Sequence, residues 1–148
     1  MSGIESRLTA FGLALPPAKA PVANYVGTKR SGDLLFVSGR VSQLRGEVGS
    51  EVTAADARLA ARDTALDLLA IVKQDLGDLD RIASIDFVRG FVRSAATFTD
   101  QPRVIDGASD LLVALFGDEG RHARTATGAA QLPFGAAVQL DMVVRLSG

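Results

Sequence analysis

The order of apolar patterns along the chain predicts an α+β domain in which two helices cover one face of a mixed sheet. Three observations lead there. A glycine-punctuated pair of β-type runs opens the sequence, two segments of helical periodicity follow, and each helix is succeeded by strand-like alternation. The predicted order is β-β-α-β-α-β-β behind a short N-terminal helix. At 148 residues the chain fits one domain spanning 1–148, with residues 1–20 as a helix and proline-rich extension.

Within residues 2–13, Ile4, Leu8 and Phe11 recur at helical spacing, with Ser2 as the expected cap. Residues 14–23 contain Pro16, Pro17 and Pro21, and are expected to be extended because proline disfavours the helical region for its predecessor. The runs Tyr25–Arg30 and Leu34–Gly39 flank Ser31-Gly32-Asp33, which predicts a hairpin. The second run is almost wholly apolar and is expected to be a central strand ending at Ser38-Gly39, where glycine permits close approach of a backbone or ligand.

The helix over 54–76 has the strongest boundary signals. Thr53 is the expected N-cap, with Asp56 three residues on and Gly77 as the stop. Its predicted buried stripe is Ala55, Leu59, Leu66, Leu69, Val72 and Leu76, and Asp63 and Asp67 read as parts of a solvated face. Residues 82–92 predict a strand in which Ile85 and Phe87 alternate with Asp86 and Val88, with a bend at Arg89-Gly90. Val104, Leu111, Leu112, Leu115 and Phe116 mark a second helix between Pro102 and Gly117. Strands over 122–131 and 137–146 enclose a turn at Leu132-Pro133-Phe134-Gly135. With both helices on one face, the other face of the sheet is expected to be covered by association of subunits.

Composition narrows the chemistry. The chain has no cysteine and one histidine, which excludes disulfides, thiol nucleophiles and Cys/His zinc sites. No carboxylate cluster has calcium-loop spacing, so neither metal nor cofactor is expected. A formal net charge of −1 and few aromatics argue against nucleic-acid binding. No apolar run is long enough to span a membrane, and the N-terminus lacks a secretion pattern, which predicts a cytoplasmic protein. There is no G-x-S-x-G elbow to accompany His122, which reads as a partly buried ring at a pocket rim. Arg124 stands out because Ala123, Thr125, Ala126, Thr127 and Gly128 around it are small. Space beside a guanidinium allows a two-pronged grip on a carboxylate.

The segment HARTATGAAQLPFGAAVQLDMVV resembles the C-terminal signature of the YjgF/RidA family: an Ala-Arg-Ser/Thr step, small residues, Leu-Pro and an alternating last strand. Tyr25-Val26 followed by LLFVSGRV resembles the N-terminal hairpin of that family, and the resemblance spans roughly residues 20 to 146. It implies a chorismate-mutase-like fold and a homotrimer with clefts between subunits. It also implies hydrolysis of reactive enamines and imines, such as 2-aminoacrylate, to a 2-keto acid and ammonia. Arg124 falls at the position of the arginine that holds the substrate carboxylate. Tyr25, Ser38, Gly39 and Ala126 fall at substrate-contacting positions.

This chain has Gln139 where RidA-type enzymes carry a glutamate that orients water, and the pocket asparagine of the family has no clear counterpart near Ser109. Glutamine can hydrogen-bond water but cannot take its proton near neutral pH. The expected function is a deaminase of small carboxylate imines. The alternative is a non-catalytic trimer that binds small carboxylates, and ribonuclease or translation-inhibitor activity ranks last.

Overall fold

A computed structural model describes residues 3–21 and 23–148. It contains helix α1 (Gly3–Ala10), strands β1 (Thr28–Ser31) and β2 (Leu34–Val41), helix α2 (Ala54–Leu76), strand β3 (Ile82–Arg93), helix α3 (Gln101–Phe116), and strands β4 (Ala123–Ala129) and β5 (Val138–Leu146). This is the predicted order. Single 3₁₀ turns at Leu79–Arg81, Gly117–Gly120 and Pro133–Gly135 join the later elements. The mixed sheet runs β1-β2-β5-β3-β4, with β3 and β4 parallel and every other pair antiparallel.

Local signals set most of the boundaries. The Thr53 hydroxyl accepts the Asp56 amide at 3.1 Å, and Gly77 closes α2 at φ 84° while donating its N–H to the Lys73 carbonyl. The expected Ser2 cap lies outside the described residues. The Asp80 carboxylate takes the Gly3 and Ile4 amides at 2.9 and 3.1 Å, so a distant residue caps α1. An ion pair between Glu5 and Lys73 joins α1 to α2.

Helix α2 lies over β2 and β5, and α3 over β3 and β4. Between them and the sheet sits one core containing Leu68, Leu69, Ile85, Ile105, Leu112, Leu115, Leu140 and Met142. The predicted stripe of α2 needs correction. Leu59 is 52% exposed and Ala55 is also exposed, whereas Ala57, Ala60, Ala61, Thr64 and Ala65 are buried. Small residues face inward because α2 is packed closely against α3. A Cβ on Gly107 of α3 would stand 2.0 Å from the Arg58 carbonyl oxygen.

The alternation of β3 also differs from expectation. Irregular register between Ile82 and Ser84, and again between Ile85 and Phe87, puts Ile85 and Val88 in the core and leaves Phe87 half-buried. The predicted bend at Arg89-Gly90 is absent, and regular pairing continues through both residues. Gly90 instead makes room for Ile105, whose Cδ1 would lie 2.6 Å from a Cβ there. Strand β2 continues to Val41 through an irregularity between Val37 and Arg40, beyond the expected end at Gly39.

Opposite the helices, Phe36 pairs with Val143, and Val143 with Phe87, making an apolar band across three strands. Phe36 remains 46% exposed. Ion pairs Arg145–Asp86 and Arg89–Asp141 flank the band at 3.1 and 3.0 Å. No described helix is long and apolar enough to cross a membrane.

Candidate functional site

Arg124 sits on β4, the edge strand beside β3, paired in register with the buried Val88. This pairing puts its side chain on the helical side of the sheet, where it meets α3. Nη1 donates to Asp106 Oδ1 at 2.8 Å and to Ser109 Oγ at 3.1 Å. The small residues around Arg124 therefore do not leave it unengaged, as the sequence suggested: it is tethered by an ion pair. Asp106 and Ser109 are three residues apart on α3 and so share one helical face.

Ser109 is also 2.9 Å from His122 Nε2, and His122 Nδ1 is 2.6 Å from the Gly120 carbonyl. A carbonyl only accepts, so it holds a proton on Nδ1. In the neutral ring Nε2 then accepts from the Ser109 hydroxyl. The hydroxyl donates to His122 and accepts from Arg124, which fixes its orientation. This chain of bonds holds one corner of the guanidinium. Both of its bonds leave from Nη1, and the Nε and Nη2 groups have no partner among the described residues. The side chain is 24% exposed and lines a shallow hollow of about 280 Å³ with Asp106, Ser109, Val113, Arg121 and His122. Charge, anchoring and an open bidentate edge together suit a carboxylate.

The other predicted site residues are elsewhere. Tyr25, Gly39 and Gln139 line a second cavity, of about 470 Å³, with Lys19, Arg40, Asp67, Pro133 and Phe134 among its walls. Ser38 stands next to it, with its hydroxyl donating to the Val26 carbonyl at 2.6 Å and its amide to the Gly27 carbonyl at 2.9 Å. Those bonds fasten the segment carrying Tyr25 against β2. Phe134 adopts φ 61° and is 66% exposed at the rim. Ala126, on β4 two residues from Arg124, pairs with Gly90 of β3. Two strands, β5 and β3, separate β2 from β4, which corresponds to about 14 Å across the sheet. A single chain therefore holds two half-sites: Arg124 and Ala126 on the edge strand β4, and Tyr25, Ser38, Gly39 and Gln139 around β2 and the central strand β5.

Sequence reasoning missed Asp106 and Ser109 as partners of Arg124, although their i, i+3 spacing on a predicted helix was available. It also placed Asp67 on a solvated face. The Asp67 side chain is only 12% exposed and faces Lys19 Nζ at 4.0 Å. Burial pushes its carboxyl above the usual range; the nearby Lys19 opposes that shift, Asp63 adds to it, and Arg40 opposes it. Arg40, also missed, donates to the Lys19 carbonyl at 3.0 Å and lies 3.5 Å from the Tyr25 hydroxyl. A larger groove, of about 590 Å³, runs between residues 14–16 and α2 and contains none of the predicted site residues.

Comparison with known proteins places the fold in a family. Residues 5–145 match the family described as YjgF/chorismate mutase-like, putative endoribonuclease. Protein TCP17 of Trypanosoma cruzi is 42% identical over 151 residues, covering 97% of this chain and 94% of that protein. The crystal structure of Atu1372 from Agrobacterium tumefaciens is 43% identical, with a TM-score of 0.92 over 98% of this chain and 93% of that one. A structure from Shewanella oneidensis, described as a putative endoribonuclease, is 32% identical, with a TM-score of 0.93 over 97% of this chain and 99% of its own. The first run expected over Tyr25–Arg30 is a strand only from Thr28, with Tyr25 in the bend before it, and the chain that carries this hairpin and the Arg124 strand belongs to the YjgF/chorismate mutase-like family.

Proposed function

We propose that the protein acts as a homotrimer that hydrolyses imines or enamines of small carboxylic acids to 2-keto acids and ammonia, in the cytoplasm. The observation that carries this reading is Arg124: its Nη1 corner is tied to Asp106 and Ser109, while the rest of its fork, on the edge strand, has no partner among the described residues. Two further features support assembly. One half-site lies on the edge strand β4 and the other around β2 and the central strand β5, so a ring that sets β4 of one subunit against the β2–β5 side of the next would bring Arg124 of the first toward Tyr25 and Gln139 of the second. The apolar band of Phe36, Val143 and Phe87 offers a surface for such a ring to bury.

In this reading Arg124 holds the substrate carboxylate through two parallel N–H bonds, which fixes the adjacent imine carbon. The Gln139 amide orients a water molecule toward that carbon. Water adds to the C=N bond, giving a carbinolamine; its C–N bond then breaks, releasing ammonia and leaving the keto acid. Gln139 cannot carry the proton, so it passes through solvent. An imine carbon is already electrophilic, and orientation supplies most of the acceleration.

The test is keto-acid release from 2-aminoacrylate generated in situ. Arg124→Ala is expected to lower the rate about a hundredfold, the loss associated with a charge-assisted bidentate contact. Equal rates for wild type, Arg124→Ala and the uncatalysed control would end the deaminase reading. Sedimentation is expected to give three times the 15.4 kDa chain mass.

A second reading, carboxylate binding without turnover, is favoured by Gln139, since the position that orients water in RidA-type enzymes has no carboxylate here. Saturable keto-acid binding with no rate enhancement would select it. Ribonuclease activity has less support, because His122 is engaged by Gly120 and Ser109 and the net charge is −1.

A further inference from the structure

The cavity beside Tyr25 contains more positive charge than one carboxylate grip requires. Arg40 enters it from β2 and Lys19 from the proline-rich segment. The facing carboxylate is Asp67, whose closest cation is Lys19, at 4.0 Å. No carboxylate lies within salt-bridge distance of Arg40 among the described residues. Its Nη2 is bound to a backbone carbonyl, its Nη1 lies 3.5 Å from the Tyr25 hydroxyl, and its Nε is buried without a partner among the described residues. A guanidinium whose Nε is withdrawn from water and unbonded, with no carboxylate in ion-pair contact, bears a desolvation cost that an anion placed beside it offsets. Two cations against one carboxylate leave room for one further negative charge.

We propose that Arg40 provides a second anion subsite, so that the substrate is a small 2-imino or 2-keto acid carrying a second anionic group, rather than a simple monocarboxylate. This rests on the reading that Arg124 holds the first carboxylate. The second group, a carboxylate or phosphate ester, lies along the wall formed by Arg40, Lys19 and Tyr25.

The experiment is calorimetric titration of the full chain with three stable probes: 2-oxobutyrate, 2-oxoglutarate and phosphohydroxypyruvate. Wild type is expected to bind at least one of the two doubly acidic probes about tenfold or more tightly than 2-oxobutyrate, and the tighter one identifies the second group. Arg40→Gln is expected to bring that ratio within about twofold, and Arg40→Lys to keep part of it. In wild type the ratio is also expected to shrink as salt rises from about 0.05 to about 0.5 M, a measurement that needs no variant. No preference for a doubly acidic probe in wild type, or a preference that survives Arg40→Gln or is indifferent to salt, overturns the proposal. Failure of the underlying reading has a separate signature: Arg124→Ala would bind 2-oxobutyrate as wild type does, while the Arg40-dependent ratio persists.

Discussion

Asp106 holds Arg124 in place and also opposes the charge it would bind, and these effects can be separated. Its Oδ1 accepts from Nη1 at 2.8 Å, away from the open edge of the guanidinium, and its side chain is 41% exposed. In Asp106→Asn the side-chain oxygen can still accept that bond, so the fork keeps its orientation while one negative charge is lost. A substrate carboxylate on the open edge would stand about 6 Å from Asp106. Repulsion at that distance is about 0.7 kcal/mol with water-like screening and about 1.4 kcal/mol with half that screening. Asp106→Asn is therefore expected to tighten 2-oxobutyrate binding roughly threefold to tenfold, measured by calorimetry at low salt. The gain is expected to fall as salt rises. The ion pair is partly exposed, so its loss is expected to cost at most about 1 kcal/mol of stability. Unchanged or weaker binding by a folded Asp106→Asn variant would refute the reasoning, because the charge would then not be felt at the open edge.

Two further predictions concern packing and protonation. Gly107→Ala replaces a poor helix former with a good one, yet its Cβ would meet the Arg58 carbonyl oxygen at 2.0 Å, a backbone contact that no rotamer change relieves. The expected result is a net loss of about 2–3 kcal/mol, seen as a fall of roughly 5–10 °C in the calorimetric melting temperature; an unchanged or higher value would contradict the close α2–α3 packing. Asp67 has a raised carboxyl pKa in the folded state, so the folded protein holds that proton more tightly than the unfolded chain does. Its contribution to stability is most favourable below about pH 3.8, where the unfolded side chain is protonated too, and is lost as pH rises through the folded value. Asp67→Asn is therefore expected to be more stable than wild type at pH 7, with the advantage fading toward pH 3.8. A constant difference across that range in denaturant titrations would oppose this assignment.

Legibility in the sequence followed the range of the interactions involved. The ends of α2 were readable because Thr53, Asp56 and Gly77 act within one turn of the helix they bound. The cap of α1 was not, because it comes from Asp80, more than seventy residues away. The inward face of α2 was misread at Leu59 since helical spacing reports a stripe without saying which side a second helix will occupy. Alternation in β3 failed at Ile85 and Phe87, where an irregular register shifts every later side chain to the other face.

The sequence by itself determined the order of elements, the α+β class and the ends of α2, and it singled out Arg124 as a candidate, because periodicity, capping and short motifs are local. Only the tertiary structure decided the strand order β1-β2-β5-β3-β4, the tether of Arg124 to Asp106 and Ser109, and the gathering of Lys19, Arg40 and Asp67 around one cavity. Those depend on which elements become neighbours, and neighbours are chosen by burying one shared core rather than by any residue's local preference.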